Sequence, residues 1–168
     1  MTLFVPQPLA TKHVTKDFRC GVPSLDAWLD GRARVNAANG ASRVFVATDE
    51  HERVIAYYAL ATGSILREEI PKSARRNTPR AIPVLVIGRL AVDMRHQGSG
   101  IGRSLVQDAL LRCARVSVEV GFMFVAVHPA NEAAREFWMG WGLAEAPTTP
   151  PALLLPLPQL RAIGFDAY

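Results

Sequence analysis

The chain has 168 residues, with 19 Lys and Arg against 15 Asp and Glu, a formal charge of +4. That length suits one domain spanning residues 1–168, and the basic balance favours anionic partners without choosing among a nucleotide, an RNA and a membrane surface. Cys20 and Cys113 stand alone, which excludes a zinc spacing or a disulfide framework and points to a reducing cytoplasm; Met1 to Val14 has no signal-peptide core and no apolar run approaches membrane-spanning length, so a soluble protein without a membrane partner is expected.

Ser24 follows Pro23 and precedes Leu25, Trp28 and Leu29, with Asp26 in the first turn, which predicts a helix from Ser24 to Asn39 closed by Gly40. Arg43–Thr48 and Val54–Leu66 are rich in Val, Ile, Tyr and Phe and are joined by the polar Asp49–Arg53, a β-hairpin pattern. In the polar connection that follows, Lys72, Arg75, Arg76 and Arg80 occur without an intervening acid. Ile82–Asp93 is nearly all apolar apart from Arg89, as a central strand covered on both faces would be. Leu105, Val106, Ala109, Leu110, Cys113 and Val116 then recur at helical spacing, with Gly121 as the stop. Phe122–His128 reads as a buried strand, and Asn131 caps a short helix whose Ala134, Phe137, Trp138 and Trp141 share one face. Ala152–Leu157 is the last strand, and the prolines of Pro147–Pro158 mark a turn and a sheet edge. The order predicts a mixed α/β sheet flanked by helices.

Between the central strand and the long helix lies Arg95-His96-Gln97-Gly98-Ser99-Gly100-Ile101-Gly102. A helix start leaves main-chain N–H groups unpartnered and its dipole favours negative charge. Gly98, Gly100 and Gly102 carry no side chain to hold an anion away, and glycine tolerates the left-handed dihedrals that turn successive N–H groups inward. A dinucleotide fingerprint needs glycine where Arg103 stands, and a Walker A loop needs glycine at Gln97 and lysine at Arg103, so neither applies.

Arg95, Gly98 and Gly100 fit the R/Q-x-x-G-x-G/A loop of the GNAT acetyltransferases, and Ile87–Asp93, Asn131 and Phe137 extend the likeness. Phe18-x-Cys20-Gly21, Leu25-Asp26-x-Trp28-Leu29, Ala59–Ser64, Arg75-Arg76-Asn77, Ile82-Pro83-Val84 and Gly88–Asp93 resemble, in order along the chain, the GNAT-type toxins of bacterial toxin-antitoxin pairs. The resemblance implies the GNAT fold and a transferase that moves acetyl from acetyl-CoA to the α-amine of the amino acid on charged tRNA, blocking translation. It further implies a ribbon-helix-helix antitoxin as partner and a homodimer, with no metal.

The family places the thioester along Leu90, Ala91 and Val92 and the pyrophosphate along Gln97, Gly98, Ser99, Gly100, Ile101, Gly102, Arg103 and Ser104, with Asn131 and Phe137 completing the coenzyme site. The matching Arg75-Arg76-Asn77 element implies RNA contact for Arg75 and Arg76, and Arg80 belongs to the same basic stretch. Arg89, alone in an apolar strand, is costly to bury unpaired and is expected to reach an acidic partner or the anionic substrate. The amine needs no strong base, because a free α-amino group titrates near ~7.7–8.0.

The departure from the family pattern lies at Trp138, which follows Phe137 where these toxins commonly have tyrosine as general acid. Indole N–H donates hydrogen bonds but is a very poor acid. Solvent protonation of the thiolate, another donor among Tyr57, Tyr58, Ser64 and His128 (Tyr58 being the candidate carried forward), and loss of catalysis are the alternatives. Rival functions are acetylation of a protein N-terminus or small amine, and a non-catalytic module that binds CoA, RNA or antitoxin.

Overall fold

The computed structural model describes residues 5–148 and 150–163 and contains a seven-stranded sheet of order β1-β2-β3-β4-β5-β7-β6. The strands are β1 (Gln7–Pro8), β2 (Arg43–Thr48), β3 (Val54–Leu66), β4 (Ala81–Val92), β5 (Phe124–Val127), β6 (Ala144–Ala146) and β7 (Ala152–Pro156). The helices are α1 (Pro23–Gly31), α2 (Ala33–Asn39), α3 (Ile101–Glu119), α4 (Glu132–Met139) and α5 (Leu157–Ala162). Residues divide into two compact units, Met1–Ala61 with Gly88–Ala109, and Thr62–Ile87 with Leu110–Tyr168.

In the first unit the hairpin has the strand limits its composition predicted, with Arg43 opposite Leu60 and Thr48 opposite Val54. Its turn is held by Asp49, whose carboxylate accepts the His51 and Arg53 N–H groups and pairs with the Arg53 side chain, while Glu52 takes φ +61°. The single helix expected over Ser24–Asn39 is instead two, α1 and α2. Arg32, at φ −118°, leaves helical geometry after Gly31, a poor helix former. The Arg32 N–H still reaches Trp28 O and the Asn36 N–H reaches Arg32 O, so main-chain hydrogen bonding continues on both sides of the bend. Gly40 closes α2 at φ +83°, as expected. The bend places Trp28, Leu29 and Ala33 in one core with Phe18, Val44, Val46, Val54, Tyr57, Ala59 and Ala91. Strand β1, only two residues long, pairs Gln7 with Val46; so short a segment has no periodicity to reveal it.

In the second unit β4 runs parallel to β5, β5 antiparallel to β7, and β7 antiparallel to β6. The proline-rich segment is therefore not an edge: β7 lies between β5 and β6, and the short β6, which the sequence did not announce, takes the edge. Pro150 and Pro151 precede β7 and Pro156 is its last residue, which leaves the N–H groups of Ala152–Leu155 available for pairing. Ile70, Ile82, Val84, Phe124, Ala126, Ala146 and Leu154 form the core of this unit. Asn131 caps α4 as expected, its side-chain oxygen accepting the Ala134 N–H at 2.8 Å. The predicted common face of α4 is divided, however: Trp138 is buried while Phe137 is exposed, and Trp141 lies beyond the helix end. Of the C-terminal stretch Gln159–Tyr168, whose role the sequence left open, Leu160 is buried in α5; Gly164–Tyr168, like Met1–Phe4, lie outside the described residues.

Candidate active site

The glycine loop is built on the end of β4. Asp93, almost fully buried, accepts the Arg95 main-chain N–H at 2.9 Å and the Arg19 N–H at 3.1 Å. It also takes the Arg95 guanidinium in a fork, Nε to Oδ1 at 2.9 Å and Nη2 to Oδ2 at 3.0 Å. Burial alone would push this carboxyl up, but the hydrogen bonds from Arg95 and Arg19 outweigh it and hold its pKa at about 2. Arg95, the first residue of the glycine motif, is thus committed to the scaffold.

Gln97, expected to meet the coenzyme through its main chain, turns its side chain back, donating to Cys20 O at 2.9 Å and Val92 O at 2.8 Å. It ties the loop to the strand that precedes it. Ser99 Oγ donates to His96 O, and the Ser104 N–H is taken by Gly100 O at the start of α3. Gly98 and Gly100 have φ of +81° and +87°, and a Cβ on either would meet no protein atom within 4 Å. The dihedral angle, not crowding by neighbours, therefore calls for glycine there. Gly102, by contrast, lies inside the first turn of α3, where its φ is not positive. The main-chain N–H groups of Gly98, Ser99, Gly100, Ile101 and Gly102 meet no acceptor among the described residues. Together with the dipole of the long helix α3 they make a donor set that fits a diphosphate.

The parallel register of β4 with β5 runs from Val84 opposite Phe124 to Ile87 opposite Val127. Leu90, Ala91 and Val92 continue β4 beyond that register, so their main-chain groups on that side are not spent on the β5 ladder. Arg89, just before them, has no acidic partner among the described residues, contrary to one expectation. Its guanidinium instead lies over the Trp28 ring, 4.2 Å from the centroid. Trp28 stacks on Tyr57 with centroids 6.0 Å apart, and Phe18 meets Tyr57 edge-on.

Neither tyrosine of β3 is placed as a ready proton donor. Tyr57 donates to Leu25 O at 2.7 Å, and burial raises its pKa. Tyr58, the alternative acid, is fully buried, stacks on Phe45 and donates to Asp108 Oδ2, which holds its proton in a scaffold bond.

In the second unit Trp138 is buried with Phe137 edge-on to it, centroids 6.0 Å apart, and His128 is exposed just past β5. The Asn131 oxygen is occupied in capping α4. The basic connection is an organised loop. Arg75 does not present its side chain to a partner: Nε donates to Ile70 O at 2.9 Å and Nη2 to Glu68 O at 3.0 Å. Arg67 closes the loop from the other end, its N–H on Arg80 O and its guanidinium on Thr78 O. Asn77 turns the chain at φ +61°, and Lys72, Arg76 and Arg80 are left exposed. Nothing in the residue order announces Arg67, because its side-chain partner is a main-chain carbonyl that carries no residue identity. Among the described residues no group of three His, Cys, Asp or Glu is placed to hold a metal, and no helix is long and apolar enough to cross a membrane.

A left-handed glycine turn feeding a long helix from the end of a central strand defines an α/β protein with a main-chain diphosphate site. Residues 11–142 match the Acetyltransferase (GNAT) family, and the chain belongs to it. It is 37% identical over 161 residues, 96% of each chain, to a protein of Mycobacterium tuberculosis named tRNA-acetylating toxin. Two solved structures are also similar. AtaT complexed with acetyl-methionyl-tRNAfMet has a TM-score of 0.88 at 25% identity, covering 96% of this chain and 99% of that one. AtaTR bound with AcCoA has a TM-score of 0.84 at 26% identity, covering 96% and 97%.

Proposed function

We propose that this protein is an acetyl-CoA-dependent N-acetyltransferase that acetylates the α-amine of aminoacyl-tRNA and acts as the toxin of a toxin-antitoxin pair, blocking translation. The observation that carries the reading is the pair of left-handed glycines, Gly98 and Gly100, at the start of α3, in a chain closely similar over 96% of its length to a tRNA-acetylating toxin. The two compact units act as one acetyltransferase domain. A ribbon-helix-helix antitoxin, a homodimer and a cytoplasmic location complete the reading and rest on the resemblance to the toxin family.

Bound acetyl-CoA supplies the activated acetyl thioester. The N–H groups from Gly98 to Gly102 bind its diphosphate, and Leu90–Val92 orient the pantetheine arm and thioester through main-chain groups. The resemblance to the family assigns Arg103 and Ser104, on the first turn of α3, to the coenzyme, and likewise Asn131 and Phe137 at α4. The incoming amine is substantially neutral at physiological pH, since its pKa lies near ~7.7–8.0 before the adjacent ester lowers it. Solvent protonates the departing thiolate, because neither the Trp138 indole nor the occupied Tyr58 phenol supplies a ready proton. Lys72, Arg76 and Arg80 meet tRNA phosphates, and Arg75 holds the loop that carries them.

The test is to incubate the purified protein with acetyl-CoA and charged tRNA and to analyse the aminoacyl group by mass. An added acetyl on the α-amine is expected. Acetylation confined to small amines or protein N-termini would overturn the reading. On tRNA binding, Arg76→Ala and Arg80→Ala are each expected to reduce the slope of log affinity against log salt by about 0.9.

A further inference from the structure

On the reading just given, we infer that Arg89, seated over the Trp28 ring, is the contact for a phosphate near the aminoacylated 3′ end of the tRNA, and that Trp28 is its positioning residue. Three observations converge. First, Arg89 is half-buried on β4 immediately before Leu90–Val92, where the acetyl group is oriented. Its five N–H donors find no acceptor among the described residues, and arginine cannot shed its charge to relieve that. A partly desolvated guanidinium without an acceptor is costly unless a ligand supplies one.

Second, an aromatic ring supports it from beneath. The Trp28 indole lies 4.2 Å from the guanidinium carbon and is itself stacked on Tyr57 at an interplanar angle of 13°. Tyr57 is pinned to α1 through its hydroxyl on Leu25 O. An arginine whose face is covered by an aromatic ring keeps its edge donors free, and that planar fork suits the oxygens of a phosphate. Third, Arg89 alternates with Ala91, which packs in the same core as Trp28 and Phe18, so the guanidinium belongs to the α1 side of the strand.

The anion has two possible sources on an aminoacyl-tRNA: a phosphodiester of the acceptor strand, or the carboxylate of an aspartyl or glutamyl group. The phosphodiester is the source proposed, because every charged tRNA carries it, whereas a side-chain carboxylate is present on only the aspartyl and glutamyl forms. The test compares wild type, Arg89→Ala, Arg89→Lys and Trp28→Phe on charged tRNA and on aminoacyl-adenosine, which presents the same amine without phosphate. Acetyl-CoA binding by calorimetry serves as the folding control.

The Arg89→Ala change is expected to raise KM for charged tRNA about tenfold or more beyond any change for aminoacyl-adenosine. It should also flatten the salt dependence of binding by about 0.7, the value for one single-strand phosphate. Arg89→Lys should restore the salt slope without the full KM, since lysine keeps the charge but not the fork. Trp28→Phe should shift KM in the same direction by less, leaving the slope in place. Equal KM and slope for Arg89→Ala and wild type would overturn the inference, as would a loss confined to aspartyl and glutamyl substrates. A wild-type protein inert on charged tRNA would remove the function itself, a result separable from either.

Discussion

Asp93 and Arg95 are joined by a two-pronged ion pair at the point where β4 becomes the glycine loop, and the same carboxylate also receives two main-chain N–H groups. One buried acid therefore sets the angle at which the loop leaves the sheet, upstream of every N–H group assigned to the coenzyme.

Asp93→Asn should destabilise the fold by about 1–3 kcal/mol, because an amide cannot accept from all four donors. The native carboxyl titrates at about 2, below its ordinary 3.8. A depressed acid contributes stability that is complete above the unfolded pKa and is lost as pH falls toward the folded one. Thermal melts between pH 2 and pH 6 should show a steep acid limb in wild type that is shallower in Asp93→Asn. Parallel curves would exclude the pair as a source of stability.

His13 provides a second pH dependence, of the same sign but in a different window. It is buried, its Nδ1 accepts the Ala10 N–H at 2.8 Å, and its Nε2 has no hydrogen-bond partner, with Glu52 3.7 Å away. Burial lowers its pKa; Glu52 opposes that shift, and Lys12 and Arg34 reinforce it. The unfolded chain therefore binds a proton more readily, so stability is full above the ordinary value of 6.5 and declines as pH drops below it. Replacing His13 with Gln should remove this slope between pH 5 and pH 7, measured as Tm, and an unchanged slope would assign it elsewhere.

Gly98→Ala and Gly100→Ala should each cost about 1–2 kcal/mol in the loop, since a side chain is poorly tolerated at φ of +81° and +87°. The added methyl would also enter the open space proposed for the diphosphate, so acetyl-CoA affinity by calorimetry should fall in both variants. Retained affinity in either would remove that glycine from the diphosphate site.

Trp138→Tyr is expected to raise the transfer rate by less than about tenfold, against the ~10²–10⁴ that an essential general acid supplies. Trp138→Ala, opening a cavity at a buried indole, should destabilise the chain by about 3–5 kcal/mol. A jump of several hundredfold in kcat for the tyrosine variant would show that a proton donor, and not the leaving group, limits the native protein.

The amino-acid order alone determined the hairpin of β2 and β3, the central β4, the glycine turn into α3 and the capping of α4 by Asn131, because each rests on local periodicity or on one residue's dihedral freedom. Only the tertiary structure decided that Arg75 and Gln97 serve main-chain carbonyls, that β7 is an inner strand and that Arg89 lies on an indole. Those outcomes depend on partners far away in the chain or on backbone atoms common to all residues, and spacing records neither. A long polar side chain spends its donors on whichever acceptor folding brings within reach, and that choice is made in three dimensions.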